Sequence, residues 1–371
     1  MMNTVAQHTK MNSDSITRAV INLSALKHNQ KVLQQYAPNS QILAVVKANA
    51  YGHGMVRIAQ TLSGIYALGV ARLNEALTLR EAGITTPIVL LEGFFHADDL
   101  KILVANNLQT VIHSSQQLEA IVNSKLTTAL QVWLKLDTGM HRLGFHEHEI
   151  DQAYQALQTS DNVAKPIHLM THFNCADEID NDITATQLTC FQTHIQVDSG
   201  LNSLANSAAT LAWPITHADV IRPGIALYGV SPFEHKSADD FNLQPVMTLQ
   251  SQLIAVRDHQ AGESVGYGAS WTAKADTKLG VVAVGYGDGY PRMAPEGTPV
   301  LINGRLVPIV GRVSMDMLTV DLGINCQDNV GDNVTLWGEG LPATQVAKHI
   351  GTIAYELVTK LTSRVALHYA P

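Results

Sequence analysis

The sequence lacks any long apolar run, and no stretch approaches the ~18 residues that a membrane-spanning helix needs. Its first fifteen residues are polar and carry no apolar core of a secretion signal, so we expect a frayed tail there. Cysteine is scarce, since Cys175, Cys190 and Cys326 are the three present, and they form no CxxC pair. This pattern argues against a disulfide scaffold and favours a cytoplasmic location, where thiols stay reduced.

Clusters of lysine and arginine are also missing. The formal net charge is -8, from 24 basic and 32 acidic residues, which weighs against a nucleic-acid-binding surface. Neither nucleic acid nor membrane is therefore expected as a partner, and small-molecule chemistry is favoured. The length of 371 residues exceeds the usual range of a single domain, so we expect two domains.

Eight short apolar runs alternate with segments of helical periodicity in the first two thirds of the chain. One such segment, over 73–82, has an apolar face and is expected to end at Gly83. Strands that alternate with helices form parallel βαβ units, and eight units fit an α/β fold of the (β/α)8 TIM-like barrel type. The predicted strands span 42–47, 66–70, 88–92, 109–112, 132–136, 167–172, 203–206 and 219–222.

From about residue 248 the pattern changes to short alternating runs, which are typical of antiparallel strands. The dipeptides Asn303-Gly304 and Gly331-Asp332 are expected to form hairpin turns, and a helix is expected over 344–351. The predicted strands here span 249–256, 280–284, 298–302, 317–322 and 333–336. The sequence thus predicts a polar tail over 1–15, a barrel domain over 16–247, and a mostly β C-terminal domain over 248–371.

Lys47 stands at the carboxyl end of the first predicted barrel strand and is followed by a turn that contains Gly52 and Gly54. Lysine is rarely buried without a partner, and a desolvated lysine amine condenses with aldehydes to form a Schiff base. Lys47 is therefore a candidate for such a linkage. The alternative is a side chain that reaches from the strand end into water.

Other polar residues follow the later barrel strands and are expected to converge with Lys47, because a barrel carries its chemistry at the carboxyl ends of its strands. Phosphate groups commonly bind to the loops after strands 7 and 8, where Ser207 is expected both to cap a helix and to bind phosphate. A lysine amine facing a phosphate cradle indicates pyridoxal 5'-phosphate. The residues after strands 5 to 8 are the segment 135–142, His172, Asn206, Ser207, Arg222, Gly224 and Ile225.

Several segments together resemble the alanine racemase family, from about residue 17 to the C terminus. The resemblance implies an isomerase that interconverts L-alanine and D-alanine through a pyridoxal phosphate aldimine at Lys47, supplying D-alanine for peptidoglycan. It also implies a cytoplasmic homodimer in which each active site borrows residues from the partner subunit. The segments that carry the resemblance are 44–54, 135–144, 171–178, 206–214, 221–229, 265–270, 283–292 and 310–321.

The same resemblance assigns roles to individual residues. Lys47 is implied as the base that acts on D-alanine, and Tyr267 of the other subunit as the base that acts on L-alanine. Tyrosine is almost fully protonated at neutral pH, so a cation must assist it, and His172 and Arg222 are implied as the chain from Tyr267 to the cofactor ring. Arg142 and Met315 are implied as substrate contacts. The implied cofactor-binding residues are Lys47, Tyr51, Arg142, His172, Asn206, Ser207, Arg222, Gly224, Ile225 and Tyr355.

Alternatives remain for some of these side chains. Arg222 is either a partner of the pyridine nitrogen, which must then stay unprotonated, or the partner of Asp219 in an ion pair. Lys135 is carbamylated in some relatives, and a solvated strand-end lysine is the other reading. The histidine cluster His141, His146 and His148 lies on a polar loop without the carboxylate or thiolate spacing of a zinc site, so no metal is expected.

Three other functions also stay open. A barrel-type decarboxylase of basic amino acids would need a catalytic cysteine near the partner's loop, where this chain has Met315. A pyridoxal phosphate carrier would need no second domain and no Tyr267. A racemase of broader specificity depends on loop positions that the sequence leaves undefined.

Overall fold

The computed structural model describes residues 15–371, so the predicted tail lies almost entirely outside the described residues. Two compact units are present, one formed by Leu23–Val246 and the other by Met247–Pro371 with the described residues up to Asn22. The first strand, β1 (Arg18–Asn22), belongs to the second unit. It pairs with the C-terminal sheet on both sides, through Arg18 with Gln250 and Arg18 with Ala366. The barrel domain predicted from residue 16 therefore includes a strand that hydrogen-bonds in the other unit.

The unit Leu23–Val246 contains the predicted barrel, which is confirmed. Its strands are β2 (Gln41–Val45), β3 (Ala67–Val70), β4 (Ile88–Leu90), β5 (Leu108–Ile112), β6 (Val132–Lys135), β7 (His168–Met170), β8 (Asn202–Ser203) and β9 (Val220–Ile221). These eight parallel strands are neighbours in the order β8, β7, β6, β5, β4, β3, β2 and β9. Backbone hydrogen bonds from Asp219 N to Asn202 O (3.2 Å) and from Arg222 N to Ala205 O (2.8 Å) join the two ends of this order and close the barrel.

Helices separate these strands and cover the barrel. The segment predicted to be helical over 73–82 forms a helix that ends at Glu81, and Gly83 follows with a φ of 79°. The helices of this unit are α1 (Leu23–Tyr36), α3 (Met55–Thr61), α4 (Leu73–Glu81), α5 (Asp99–Ala105), α6 (Ser115–Val122), α7 (Glu147–Thr159), α8 (Ile183–Thr193) and α9 (Ser207–Ala212), and α2 (Lys47–Tyr51) is a single turn with left-handed residues.

Burial explains why the barrel strands are so apolar. In β2, every residue from Ile42 to Val45 is buried, and all residues of β3 and β4 are buried as well. A parallel sheet lined by side chains inside and covered by helices outside has no water-facing side, so its strands form continuous apolar runs. Most polar side chains consequently lie at the strand ends and in the loops that follow them, and Gln109 and Thr110 inside β5 are exceptions.

The second unit is built mainly of antiparallel strands. Besides β1, its elements are β10 (Met247–His259), β11 (Ser264–Val265), β12 (Trp271–Thr272), β13 (Thr277–Val282), β14 (Pro299–Ile302), β15 (Arg305–Val310), β16 (Leu318–Asp321), β17 (Asn333–Trp337), α10 (Ala343–Ile350), α11 (Ala354–Thr359) and β18 (Ala366–Ala370). Strand β10 pairs with β17 through its first part and with β13 through its second part, so a ring of strands forms in the order β10, β13, β16, β15, β14 and β17. The predicted mostly β character of this region is confirmed.

The two predicted hairpin turns have different outcomes. Asn303 and Gly304 adopt φ values of 48° and 77° and join β14 to β15, with Ile302 paired to Arg305, as the sequence predicted. The prediction for Gly331-Asp332 is wrong, because the loop that contains it connects β16 to β17, and these strands pair with other strands.

Across the described residues, no helix has the length and hydropathy to cross a membrane.

Candidate active site

Lys47 lies just beyond β2, at the carboxyl end of the barrel strand, and begins a turn of unusual conformation. The four residues after it, Ala48 to Tyr51, have φ values of 53° to 55°, in the left-handed region that residues with a Cβ atom seldom occupy. Side chains hold this turn from outside. The Ala48 N–H donates to Glu75 Oε1 (2.7 Å), and the Met55 N–H donates to Asn49 Oδ1 (2.8 Å). Strain of this kind persists where the surroundings fix it, commonly at functional sites.

The surroundings of Lys47 favour the neutral amine. Burial lowers the pKa of Lys47, the carboxylate of Glu92 opposes this effect, and the positive charge of Arg142 adds to it. A lysine with a lowered pKa has a larger share of the nucleophilic amine at neutral pH. Lys47 is half-buried rather than exposed. Its lowered pKa favours the Schiff-base interpretation over a side chain that only reaches from the strand end into water.

Lys47 shares its surroundings with other cationic side chains, Lys135, Arg142 and Arg222. The pKa of Lys135 is lowered to about 7, mainly by burial and then by the charges of Arg222, Arg142 and Lys47, while Asp137 opposes them. Lys135 is only 7% exposed, so the reading of a solvated strand-end lysine is wrong here as well. Several positive charges in one place, one of them deeply buried, form a site suited to an anionic ligand.

Arg222 is buried at the end of β9 and forms no ion pair with a carboxylate of residues 15–371. Its guanidinium donates hydrogen bonds to Ser203 Oγ (2.7 Å), to Thr171 O (2.6 Å) and to Leu204 O (3.1 Å). The predicted alternative, a pair with Asp219, is wrong, because Asp219 Oδ2 accepts from the backbone N–H of Asn202 (2.7 Å). Burial lowers the pKa of Arg222 to about 9, so its charge is retained at neutral pH.

His172 contacts this guanidinium directly. Its Nδ1 lies 3.3 Å from Arg222 Nη2, and an arginine has donors only, so Nδ1 accepts and the ring proton is on Nε2. Burial lowers the pKa of His172 well below its usual value, and the charge of Arg222 lowers it further. His172 is therefore a neutral imidazole at pH 7, with a donor available on the side of the ring opposite Arg222.

The expected phosphate-binding residues meet at the ends of β8 and β9. Ser207 Oγ accepts from the N–H groups of Gly224 (2.9 Å) and Ala226 (3.3 Å). A Cβ atom on Gly224 would lie 2.4 Å from Tyr51 Oη, so the buried Tyr51 hydroxyl packs against the glycine backbone. The prediction that Ser207 caps its helix is wrong. Asn206 is the capping residue, since its Oδ1 accepts from the Ala209 N–H (3.0 Å).

The donor set of the barrel fits pyridoxal phosphate. A buried guanidinium without a carboxylate partner suits a ring nitrogen that accepts a hydrogen bond, and the hydroxyls of Ser207 and Tyr51 beside the Gly224 backbone suit a phosphate. The lysine amine with lowered pKa suits the aldehyde. All of these groups lie in the unit Leu23–Val246.

The remaining predicted site residues lie in the other unit. Tyr267 is 68% exposed on a turn between Gly266 and Gly268, whose φ values are 72° and 75°. A Cβ atom on Gly268 would lie 3.1 Å from Arg312 Nη1, so the guanidinium lies against this turn. Met315 is also exposed, and Tyr355 is the second residue of helix α11 (Ala354–Thr359). Arg312 is a cation beside the tyrosine turn that the sequence reasoning did not single out.

Three further charged residues, Glu75, Glu92 and Arg72, were missed. Glu75 accepts from the backbone N–H groups of Ala48, Ala71 and Arg72, and thereby fixes the turn after Lys47. Glu92 forms an ion pair with Arg72 and acts on the pKa of Lys47. Arg72 follows the end of β3 by two residues, and Glu92 follows the end of β4 by two residues. A charged residue just after a barrel strand is the feature of the sequence by which both could have been predicted as site residues.

Comparisons with known proteins agree with these observations. A family model described as Alanine racemase, N-terminal domain, matches residues 21–232, and one described as Alanine racemase, C-terminal domain, matches residues 246–369. The alanine racemase of Photobacterium profundum is 59% identical over 353 residues, which is 95% of this chain and 98% of that protein. The alanine racemase of Aliivibrio salmonicida is 58% identical over 353 residues, with 95% and 99% covered.

Solved structures give the same result. The crystal structure of biosynthetic alanine racemase from Pseudomonas aeruginosa matches with a TM-score of 0.93 and 44% identity, over 96% of this chain and 99% of that one. Alanine racemase from Bacillus anthracis with bound L-Ala-P matches with a TM-score of 0.84 and 31% identity, over 96% and 95% of the chains. Because both family models and relatives of this similarity match, the chain belongs to the alanine racemase family.

Proposed function

We propose that this protein interconverts L-alanine and D-alanine with pyridoxal 5'-phosphate as its cofactor. The observation that carries the proposal is the half-buried amine of Lys47, with its pKa lowered by burial, at the same barrel end as the buried cation Arg222. The alanine racemase family depends on pyridoxal phosphate. When bound, this cofactor supplies an aldehyde carbon that captures amines and a conjugated ring that withdraws electrons from the α-carbon of an amino acid.

Each end of the cofactor has candidate ligands in the barrel. Lys47 Nζ would hold the aldehyde carbon, and Arg222 would donate to the ring nitrogen. Arg142 would contact the phenolic oxygen and the carboxylate of the substrate, for which a planar fork of donors is suited. The phosphate would be held in the barrel by Tyr51, Asn206, Ser207, Gly224 and Ile225. Tyr355, in the other unit, stays a predicted phosphate ligand.

Two groups would move protons at the α-carbon, one on each face. Racemisation removes a proton from one side and returns a proton to the other, and one rigidly held group cannot serve both sides. Lys47 Nζ would take the proton of D-alanine, and Tyr267 Oη would take the proton of L-alanine. His172 supports this assignment as a neutral imidazole, because it accepts from Arg222 on one ring nitrogen and can donate from the other.

We also propose a homodimer in which Tyr267 and Met315 complete the active site of the partner subunit. The exposure of both side chains supports this, since Tyr267 is 68% exposed and Met315 is 53% exposed. The backbone N–H of Met315 would contact the substrate, and a pocket rimmed by a methionine and tyrosines suits a methyl side chain.

Arg222 has a second consequence for the reaction. A guanidinium cannot accept a proton, so a ring nitrogen held by Arg222 would stay unprotonated, and the cofactor would withdraw electrons less strongly than it would beside a carboxylate. Arg222 would thereby favour return of a proton to the α-carbon over transfer of the amino group.

The product suggests the biological role. We propose that D-alanine made here enters peptidoglycan and that the reaction takes place in the cytoplasm. The three cysteines support this location, because Cys175, Cys190 and Cys326 are free thiols.

One incubation tests the activity. The purified protein is mixed with single L-amino acids in deuterated water, and optical rotation and deuterium at the α-carbon are followed together. Loss of rotation with deuterium gain, confined to alanine, is the expected result. Release of carbon dioxide would instead indicate a decarboxylase, inertness would indicate a cofactor carrier, and equal racemisation of serine or lysine would indicate a broader racemase.

A further inference from the structure

The loop after β6 brings one carboxylate and two imidazoles together outside the proposed cofactor site. Asp137, His141 and His146 each offer one ligand atom, and these atoms lie within 4.8 Å of one another. The two histidine side chains are exposed, whereas Asp137 is buried. The sequence predicts no metal here, because the loop lacks the carboxylate or thiolate spacing of a zinc site, but the fold supplies Asp137 from just beyond the end of β6.

Asp137 is held in place as an anion. Its Oδ1 accepts from the backbone N–H groups of Gly139 (3.1 Å) and His141 (3.0 Å). Burial raises the pKa of Asp137, but these two hydrogen bonds and the His141 ring outweigh burial, so the pKa lies below its usual value. Its second oxygen, Oδ2, faces His141 Nδ1 at 3.3 Å.

The backbone keeps both histidines beside this carboxylate. His141 has a φ of 53°, a left-handed conformation that turns the chain back toward Asp137. The Asp137 N–H donates to Phe145 O (2.9 Å), and the Phe145 N–H donates to Lys135 O (2.9 Å), so the residue before His146 is bonded to the strand end. The His146 N–H donates to Glu149 Oε2 (2.9 Å), which fixes the start of α7.

We propose that Asp137, His141 and His146 form a binding site for a divalent first-row transition metal ion, with Zn²⁺ as the best match. Two imidazoles and one carboxylate are ligands that Zn²⁺ prefers, with water at the remaining position. Ligand atoms at about 2.0–2.1 Å from a tetrahedral Zn²⁺ lie about 3.4 Å apart. The separation between Asp137 Oδ2 and His141 Nδ1, 3.3 Å, already fits this geometry.

His146 completes the site by a side-chain rotation that its exposure permits. Mg²⁺ and Ca²⁺ prefer sites made mostly of oxygen ligands, so neither ion matches this set. His148 stacks on His146 with ring centroids 5.8 Å apart but is not one of the three grouped ligands. It therefore serves as a matched control.

The position of the site links it to the proposed substrate contact. Arg142 follows His141 directly, and the loop that carries both residues is bonded to β6 at its two ends. An ion bound by both His141 and His146 links the middle of the loop between β6 and α7 to the end of that loop. Binding therefore reduces the motion of the segment from Gly139 to Gly144.

Calorimetric titration of the full-length, cofactor-loaded and untagged protein with ZnCl₂ at pH 7.5 tests the proposal. One site per chain is expected to weaken by at least about tenfold in His141→Asn and in His146→Gln, because loss of a ligand costs no less than loss of the groups that orient ligands. His148→Gln and the distant His349→Gln are expected to keep the wild-type affinity, and MgCl₂ is expected not to compete. Circular dichroism verifies that each variant is folded.

Hydrogen exchange gives a second readout that does not depend on racemase activity. Zinc is expected to slow amide exchange in the loop between β6 and α7 of the wild-type protein, and not in the His141→Asn/His146→Gln double variant. Equal zinc affinity in the wild type and both ligand variants would overturn the proposal. It would also be overturned if His148→Gln weakened binding as strongly as His146→Gln, or if exchange slowed elsewhere and not in this loop.

Discussion

The charge of Lys135 is predicted to destabilise the fold at neutral and acidic pH. Burial is the largest cause of its lowered pKa, which falls to about 7 from an ordinary value of 10.5, and nearby positive charges add to it. Replacement of Lys135 by methionine keeps the length of the side chain but removes the charge. We therefore expect Lys135→Met to raise the free energy of unfolding, by an amount that depends on pH.

The sign follows from where the proton binds. Between pH 10.5 and about 7 the unfolded chain holds the Lys135 proton more tightly than the folded chain, so the free energy of unfolding falls as the pH falls. Below about 7 both states are protonated, and the full penalty is present. At about 1.4 kcal/mol per pKa unit, the charge of Lys135 lowers the free energy of unfolding by at most about 5 kcal/mol at pH 6 and about 2 kcal/mol at pH 9. Rearrangement of neighbouring groups and water reduces both values.

Urea unfolding of the cofactor-free protein in buffers without carbon dioxide measures this effect at pH 6 and pH 9. Lys135→Met is expected to be stabilised more at pH 6 than at pH 9, by up to about 3 kcal/mol. Lys348→Met, at an exposed position of helix α10, is the control and is expected to change stability little and equally at both values. An effect of Lys135→Met that is the same at both pH values would refute the reasoning.

Three further predictions concern the proposed active site. Tyr267→Phe should lose ~10²–10⁴-fold in deuterium exchange from L-alanine while D-alanine still exchanges, and equal loss from both would contradict separate bases. Gly224→Ala should weaken pyridoxal phosphate binding by at least about tenfold in reconstitution titrations, because its Cβ would lie 2.4 Å from Tyr51 Oη and overpacking costs about 1–3 kcal/mol. Unchanged affinity would show that this contact does not shape the phosphate site. Arg222→Glu should increase formation of pyridoxamine phosphate, and no increase would count against the proposed role of the guanidinium.

The barrel was predictable from the sequence because its strands are buried on both sides. Ile42 to Val45 and Ile88 to Leu90 are continuous apolar runs, and each is a strand of the sheet. The pairing of β1 was not predictable. An alternating strand such as Arg18–Asn22 indicates its type, but not that its partners lie more than two hundred residues further along the chain. The failed Gly331-Asp332 turn has the same cause, since a turn sequence does not identify the strands that pair beside it.

The site was predictable where a residue type and a strand end coincide, as for Lys47, His172 and Arg222. The left-handed turn after Lys47 was not, because Ala48, Asn49 and Ala50 have no local requirement for a positive φ, and Glu75 imposes it from a distant helix. The grouping of Asp137 with the two histidines was also missed. Spacing along a loop does not reveal that the loop returns to its own beginning, which depends on the backbone bonds between Phe145 and the end of β6.

The proposed function depends on a linkage between the amine of Lys47 and the cofactor. Borohydride treatment of the purified protein, followed by proteolysis and mass spectrometry of the peptides, locates this linkage. We expect the yellow absorbance of the bound cofactor to disappear and a phosphopyridoxyl group to be found on Lys47 alone. A reduced adduct on Lys135 or any other lysine, or a protein purified without dialysis that shows no such absorbance, would contradict it.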